Sequence, residues 1–127
     1  MIAMDASVLI AHLNPADPHH EAATAIFLVG VPGQMLVHTI TLTEVLVGGV
    51  RIGQGVSMHD DLRAAGITVA PHDDGEPLRL AELRATSSLK LPDCCVLDVA
   101  IHHQASLATF DNALAAEARN RGVRVTT

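Results

Sequence analysis

Tryptophan and tyrosine are absent from the chain and phenylalanine occurs twice, at Phe27 and Phe110. Stacking on exposed rings therefore adds little to recognition, and a nucleic-acid ligand would have to be read by shape and backbone. Basic side chains are also scarce, with 8 Lys and Arg against 14 Asp and Glu and a net charge of −6. Broad, sequence-independent attraction to phosphates rests on lysine and arginine and is not available here. An acidic chain can still meet phosphate where divalent cations fill a carboxylate pocket, so that local charge departs from net charge. The two cysteines, Cys94 and Cys95, are neighbours and cannot close a stabilising long loop, which points to a reducing cytosol. The longest nearly apolar stretch, Ala22 to Val31, falls well short of the roughly 20 residues that span a bilayer. No charged segment followed by an apolar one opens the chain, so a soluble, cytoplasmic protein is expected.

What is present is enough for one ordinary domain over residues 1–127, long enough to bury a core without staples. Hydrophobic residues make up 49% and charged residues 17%, which implies either a surface that meets a partner or tightly packed helices of alanine and valine. Ile2-Ala3-Met4 reads as a buried strand ending at Asp5, followed by helical turns from Ser7 to Ala11 that stop before Pro15. Asp17-Pro18 has the form of a helix start, with Ala22, Ile26 and Val29 as its apolar stripe and Gly30 as its close. Met35 to Ile40 reads as a second strand. Thr41-Leu42-Thr43-Glu44 has capping-box spacing and places Glu44 in a first helical turn, with glycine interruptions at Gly48, Gly49, Gly53 and Gly55.

A further helix around Ser57 to Ala65 ends at Gly66, and Ile67 to Ala70 forms a third strand. The loop Pro71 to Gly75 leads into a helix reaching about Ser88. Pro92 opens another, with Asp93 in its first turn, and Ser106 to Phe110 forms a fourth strand ending at Asp111. Asn112 to Asn120 is helical, and Val123 to Val125 can add a last strand. Short strands alternating with helices predict an α/β three-layer sandwich, α/β/α, around a short, mainly parallel sheet.

Singly, the acids have ordinary roles as caps and first-turn residues. Together they share a place. In a doubly wound sheet the loops after the strands gather at the carboxyl edge, and the following helices begin there. Asp5 and Asp111 end strands while Glu44 and Asp93 open helices, so all four belong at that edge, although chain spacing alone does not bring them to one point. Two carboxylates about 4 Å apart repel by roughly 4 kcal/mol at an effective dielectric near 20. A converged cluster therefore needs protons or cations. Oxygen donors suit hard ions, Mg²⁺ or Mn²⁺ over zinc, and ions so placed support in-line hydrolysis of a phosphodiester.

The stretches Met4-Asp5-Ala6-Ser7, Thr41-Leu42-Thr43-Glu44-Val45, Leu91-Pro92-Asp93 and Thr109-Phe110-Asp111, in that order, make nearly the whole chain resemble the PIN-domain ribonuclease toxins of VapBC-type toxin-antitoxin pairs. The resemblance implies metal-binding acids at Asp5, Glu44, Asp93 and Asp111, with Ser7, Thr109 and Asn112 as hydrogen-bond donors behind them or toward phosphate. It implies endonucleolytic cleavage of structured cellular RNA, a homodimer, and a small antitoxin that wraps the toxin. The glycine-rich middle helices depart from the expected regularity and bear on the antitoxin-facing surface more than on the acids.

Asp98 lies five residues after Asp93, about 140° round a helix, and is expected to face elsewhere. Asp73 and Asp74 read as solvated turn residues. Zinc shared between the cysteines and His102-His103 is ruled out, because eight residues span about 12 Å of helix. The cysteines are expected to be buried and the eight histidines to be surface or N-terminal polar residues. Arg84 and Lys90, or Arg119, Arg121 and Arg124, could hold phosphates or simply be solvated cations on helix faces. Two rivals remain at this point. A receiver-type phosphoacceptor domain would need paired acids after its first strand and a lysine after its last, whereas Asp5 stands alone and the one lysine, Lys90, precedes a helix. A non-catalytic PIN-like binding module would not need all four acids.

Overall fold

A computed structural model of the chain describes residues 1–126; Thr127, which the expected domain includes, lies outside them. β1 (Ile2–Met4) is followed by α1 (Ala6–Leu13) and α2 (His20–Val29), and β2 (Met35–Val37) by α3 (Thr39–Arg51) and α4 (Gly55–Ala64). β3 (Ile67–Val69) then precedes α5 (Glu76–Ala85) and α6 (Leu91–His102), and β4 (Ser106–Ala108) precedes α7 (Asn112–Asn120) and β5 (Val125–Thr126). The five strands form one sheet in the order β3-β2-β1-β4-β5, and every pairing in it is parallel. The chain winds outward from β1 to β3 and then crosses to β4 on the other side. The order reverses between β1 and β4, and a crevice opens beyond the carboxyl ends of strands at such a point.

The strands are short but their alternation is clean, because successive side chains on a strand face opposite sides. Ala3, Leu36 and Leu107 join a core with Leu83 of α5, Val96 and Leu97 of α6 and Leu114 of α7. Met4, Met35, Val37 and Ala108 join a second core with Val8 and Leu9 of α1, Ile26 of α2, Leu42 and Val45 of α3 and Leu62 of α4. Two cores on one sheet make three layers. In α6 every residue from Cys94 to Ala100 is buried, and the helix packs on β1, β2 and β4 as well as on α3, α5 and α7. A helix apolar on all sides has to be enclosed in this way.

Several elements differ from the expected ones. α2 begins at His20 instead of Asp17, because Asp17 Oδ1 accepts from the His19 amide at 2.8 Å and holds a turn there. Its buried stripe is Ala23 and Ile26, while Ala22 and Val29 are exposed. β2 ends at Val37, and the residue that opens α3 is His38, whose ring Nδ1 accepts the Ile40 amide at 3.0 Å. Thr41, the expected cap, is a buried helical residue whose Oγ1 has no partner, so Glu44 sits one turn further in than the capping-box reading predicts. α3 continues through Gly48 and Gly49 to Arg51. A Cβ on Gly49 would lie 2.9 Å from Met58 Sδ, so this glycine serves the close approach of α3 to α4 rather than ending a helix. Gly66 closes the α4 segment at φ +100°, as its expected terminating role requires.

Candidate active site: a carboxylate crevice at the switch point

Asp5 follows β1 directly and is buried, with 6% of its surface exposed. Its carboxylate is held from three directions. Oδ1 accepts the Ala6 amide at 2.8 Å, and Oδ2 accepts the hydroxyls of Ser7 at 2.8 Å and of Thr109 at 2.7 Å. Thr109, fully buried, comes from the other side of the switch point, just after β4. Its expected place inside that strand is a correction: β4 ends at Ala108, and Thr109 leaves the ladder to reach Asp5. The Thr109 oxygen also accepts the Asp111 amide at 3.0 Å, and Ser7 Oγ accepts the Phe110 amide at 3.1 Å. Two hydroxyls thus lace the β1 and β4 loops together and fix Asp5 relative to Asp111.

Asp111 caps α7, its Oδ1 accepting the Leu114 amide at 2.9 Å. Asp93 lies in the first turn of α6 and is half-buried. Glu44 is an exposed residue of α3. The Asp93 carboxyl is pushed above the ordinary carboxylate range, first by burial and then by the charges of Asp5, Asp111 and Glu44, with Lys90 opposing. Asp93 therefore feels the charges of three acids scattered over the length of the chain. Of the three expected helpers, Ser7 and Thr109 are bonded to Asp5, whereas Asn112 opens α7 with its side chain exposed.

Four oxygen donors with one opposing lysine have the character of a site for a hard divalent ion. Within the described residues, one group of three or more His, Cys, Asp or Glu side chains brings its ligand atoms within 4.8 Å of one another, and it is His38, His72 and Glu76, not this quartet.

Beside Asp111 a groove of about 420 Å³ is lined by His19, Thr109, Phe110, Asn112, Ala115 and Arg119, among others. The His19 ring stacks on Phe110 with centroids 4.4 Å apart. A larger cavity, about 680 Å³, lies elsewhere, among Met1, Gln104, Ser106, Arg121 and Arg124 at the amino edge, and contains none of the four acids. Cavity size therefore does not find the site; shared charge does.

The remaining expectations divide. Cys94 and Cys95 are buried, and burial first, with Glu76 next, pushes the Cys95 thiol up to about 11. Asp98 is turned to Arg79, which donates to it at 2.8 and 3.1 Å. The same guanidinium grips Asp73 at 2.9 and 3.0 Å, so Asp73 is an ion-pair partner and not merely a solvated turn residue, and its carboxyl is lowered to about 2. Arg121 is engaged with Glu117 and Thr86, while Arg119 faces the groove. Of the two places expected for histidines, the surface or a helix N-terminus, His38 takes the second: it caps α3, buried and bonded to Glu76. The spacing His72-x-x-x-Glu76 in a helix-opening loop was the signal that could have exposed this cluster.

Comparison with known proteins agrees with the fold. The family model of the PIN domain matches residues 2–120. Among solved structures, the chain is similar to VapC20 of Mycobacterium tuberculosis, described as a sarcin-ricin loop cleaving toxin, at 16% identity and TM-score 0.76, covering 92% of this chain and 95% of that one. It is similar to a toxin-antitoxin complex from Klebsiella pneumoniae at 24% identity and TM-score 0.72, covering 91% and 89%. It is also similar to FitAcB from Neisseria gonorrhoeae at 20% identity and TM-score 0.74, covering 100% and 97%. Compared with curated protein sequences, the chain has no match.

Proposed function

The chain belongs to the PIN domain family, and from that premise we propose that residues 1–127 form one catalytic domain, a cytoplasmic, metal-dependent endoribonuclease acting as the toxin of a toxin-antitoxin pair. The observation that carries the reading is that burial, and with it the charges of Asp5, Asp111 and Glu44, opposes the ionisation of Asp93. Protein donors and Lys90 leave that crowd of charge incompletely offset, and a hard divalent ion is the partner it suits. Asp5, Glu44, Asp93 and Asp111 would hold Mg²⁺ or Mn²⁺, which when bound polarises a phosphoryl oxygen, activates water and offsets charge on the leaving oxygen.

The protein's own contribution is alignment. Ser7 and Thr109 fix the Asp5 carboxylate, so the acid does not have to be reoriented during reaction. Arg119 and Asn112, beside Asp111, stand where an RNA backbone leaving the crevice would pass. The chain offers few rings for base stacking, so the substrate is read by its shape, as the likeness to a toxin that cleaves the sarcin-ricin loop would suit.

A small antitoxin and a second copy of the chain are the partners this reading carries. Val47, Val50, Ile52 and Val56 of the α3–α4 hairpin are 40–79% exposed, and Val47, Val50 and Val56 line shallow grooves with Leu46. Apolar surface of that kind supports a protein partner. Likeness to a toxin-antitoxin complex also supports an antitoxin.

The experiment is a cleavage assay of partner-free protein on total cellular RNA with Mg²⁺ or Mn²⁺, followed by mapping of product ends. Defined cuts that need the metal and disappear in a folded Asp93→Asn variant are the expected result. Equal cleavage by both proteins would discard the mechanism, and no cleavage by a folded wild type would leave a binding module.

A further inference from the structure

We propose that His38, Glu76 and His72 form a second metal site, for a borderline divalent ion of the zinc class, separate from the carboxylate crevice. Three elements deliver the ligands: His38 caps α3 after β2, His72 lies in the loop after β3, and Glu76 is the first residue of α5. His38 Nε2 lies 2.6 Å from Glu76 Oε1, His72 Nδ1 lies 2.5 Å from Glu76 Oε2, and one ligand atom from each residue falls within 4.8 Å of the others. The cluster is anchored at its base and open at its top. His38 and Glu76 are 5% and about 12% exposed, while half of the His72 side chain meets solvent.

Donor chemistry separates the two sites. Two imidazoles and one carboxylate are a common ligand set for a tetrahedral zinc ion, whose fourth position is taken by water. All-oxygen sites favour harder ions, so the quartet and the histidine cluster select different metals. His72 has to shift a proton before it can coordinate: its Nδ1 now donates to Glu76 Oε2, and once that proton moves to Nε2, 2.9 Å from Thr39 Oγ1, the ring can donate it to that hydroxyl, as ligating histidines commonly do.

His38 has to change. Its Nδ1 accepts the Ile40 amide, which leaves the proton of the neutral ring on Nε2, donated to Glu76. Coordination through Nε2 moves that proton to Nδ1 and releases the Ile40 amide, exchanging one helix cap for a metal bond. With both rings neutral, the two shifts leave the proton count unchanged. Because α3 also carries Glu44, the N-terminus that loosens belongs to the helix presenting one of the four acids.

The inference does not depend on nuclease activity, and its test does not measure cleavage. Zn²⁺ is titrated into the whole chain against a chromogenic chelator with Mg²⁺ in large excess, for the wild type and for His38→Asn, His72→Ala and Asp93→Asn. Asparagine is itself a good cap, so His38→Asn keeps the start of α3 while removing the Nε2 donor. The expected result is one tight Zn²⁺ per chain in the wild type and in Asp93→Asn. In both histidine variants affinity falls beyond the roughly 10- to 100-fold that loss of a bonding partner behind a ligand costs. Circular dichroism confirms that each variant is folded. Wild-type affinity in His38→Asn and His72→Ala would overturn the site, and so would loss of Zn²⁺ in Asp93→Asn, which would put the ion among the acids.

Discussion

Thr109→Val isolates the lacing of the crevice from the bulk of the fold. Valine matches threonine in shape and fills the same fully buried space, so the change opens no cavity and removes two hydrogen bonds. The bond to the Asp5 carboxylate has an ionised, buried acceptor and is worth about 1.5–3 kcal/mol. The bond accepted from the Asp111 amide is partly open to water and is worth about 0.5–1.5 kcal/mol. Together they predict a loss of about 2–4.5 kcal/mol at neutral pH, and with roughly 3 to 4 °C per kcal/mol for a domain of this size the melting temperature falls by about 6–18 °C. Urea unfolding followed by far-UV circular dichroism, in chelator to keep metals out, measures the loss. Thr109→Ser is the control: it keeps the hydroxyl and gives up one methyl, about 1 kcal/mol. Two results would refute the reasoning: Thr109→Val within about 0.5 kcal/mol of the wild type, or Thr109→Ser falling as far as Thr109→Val.

Asp93→Asn is expected to stabilise the metal-free protein at neutral pH. A folded-state pKa above the unfolded value means that the ionised carboxylate costs stability above the folded pKa, and that the cost fades as pH falls toward the ordinary carboxyl value of about 3.9. Thermal unfolding in chelator across that range checks the sign, and added Mg²⁺ should reverse the order of the two proteins. Thr41→Val tests which residue caps α3. With Thr41 Oγ1 buried and unpartnered, valine should be neutral or stabilising, whereas the capping-box reading requires a loss of about 1 kcal/mol.

The sequence made the architecture legible because its strands and helices alternate; of the four acids, Asp5, Asp93 and Asp111 stand next to an element boundary, whereas Glu44 lies inside α3. Asp5 after β1 and Asp93 in the first turn of α6 are where the patterns put them, and α7 runs over the expected Asn112–Asn120. The misplacements have local causes. Thr41 and Glu44 carry capping-box spacing, but a histidine three residues earlier supplies the cap through a ring nitrogen, an acceptor that composition-based reasoning does not weigh. Gly48-Gly49 has the composition of a helix break, yet the contact with Met58 makes a missing Cβ useful inside the helix. The binding of Asp73 and Asp98 to one arginine depends on tertiary packing of α5 on α6, which no spacing rule supplies.

What spacing cannot supply for the acids, topology does. Parallel strands all end at the same edge, so Asp5 and Asp111, which follow β1 and β4, are delivered there whatever their positions in the chain. Reversal of strand order between β1 and β4 then sets Asp5 beside Thr109, 104 residues away, and a single hydroxyl joins the two halves of the site. The same edge, carried on toward β2 and β3, brings His38 and His72 to Glu76. One edge thus presents carboxylates at its centre and imidazoles toward its flank. Different donor atoms select different ions, so a metal that occupies the flank need not compete for the crevice and acts on it, if at all, through the helix they share, α3.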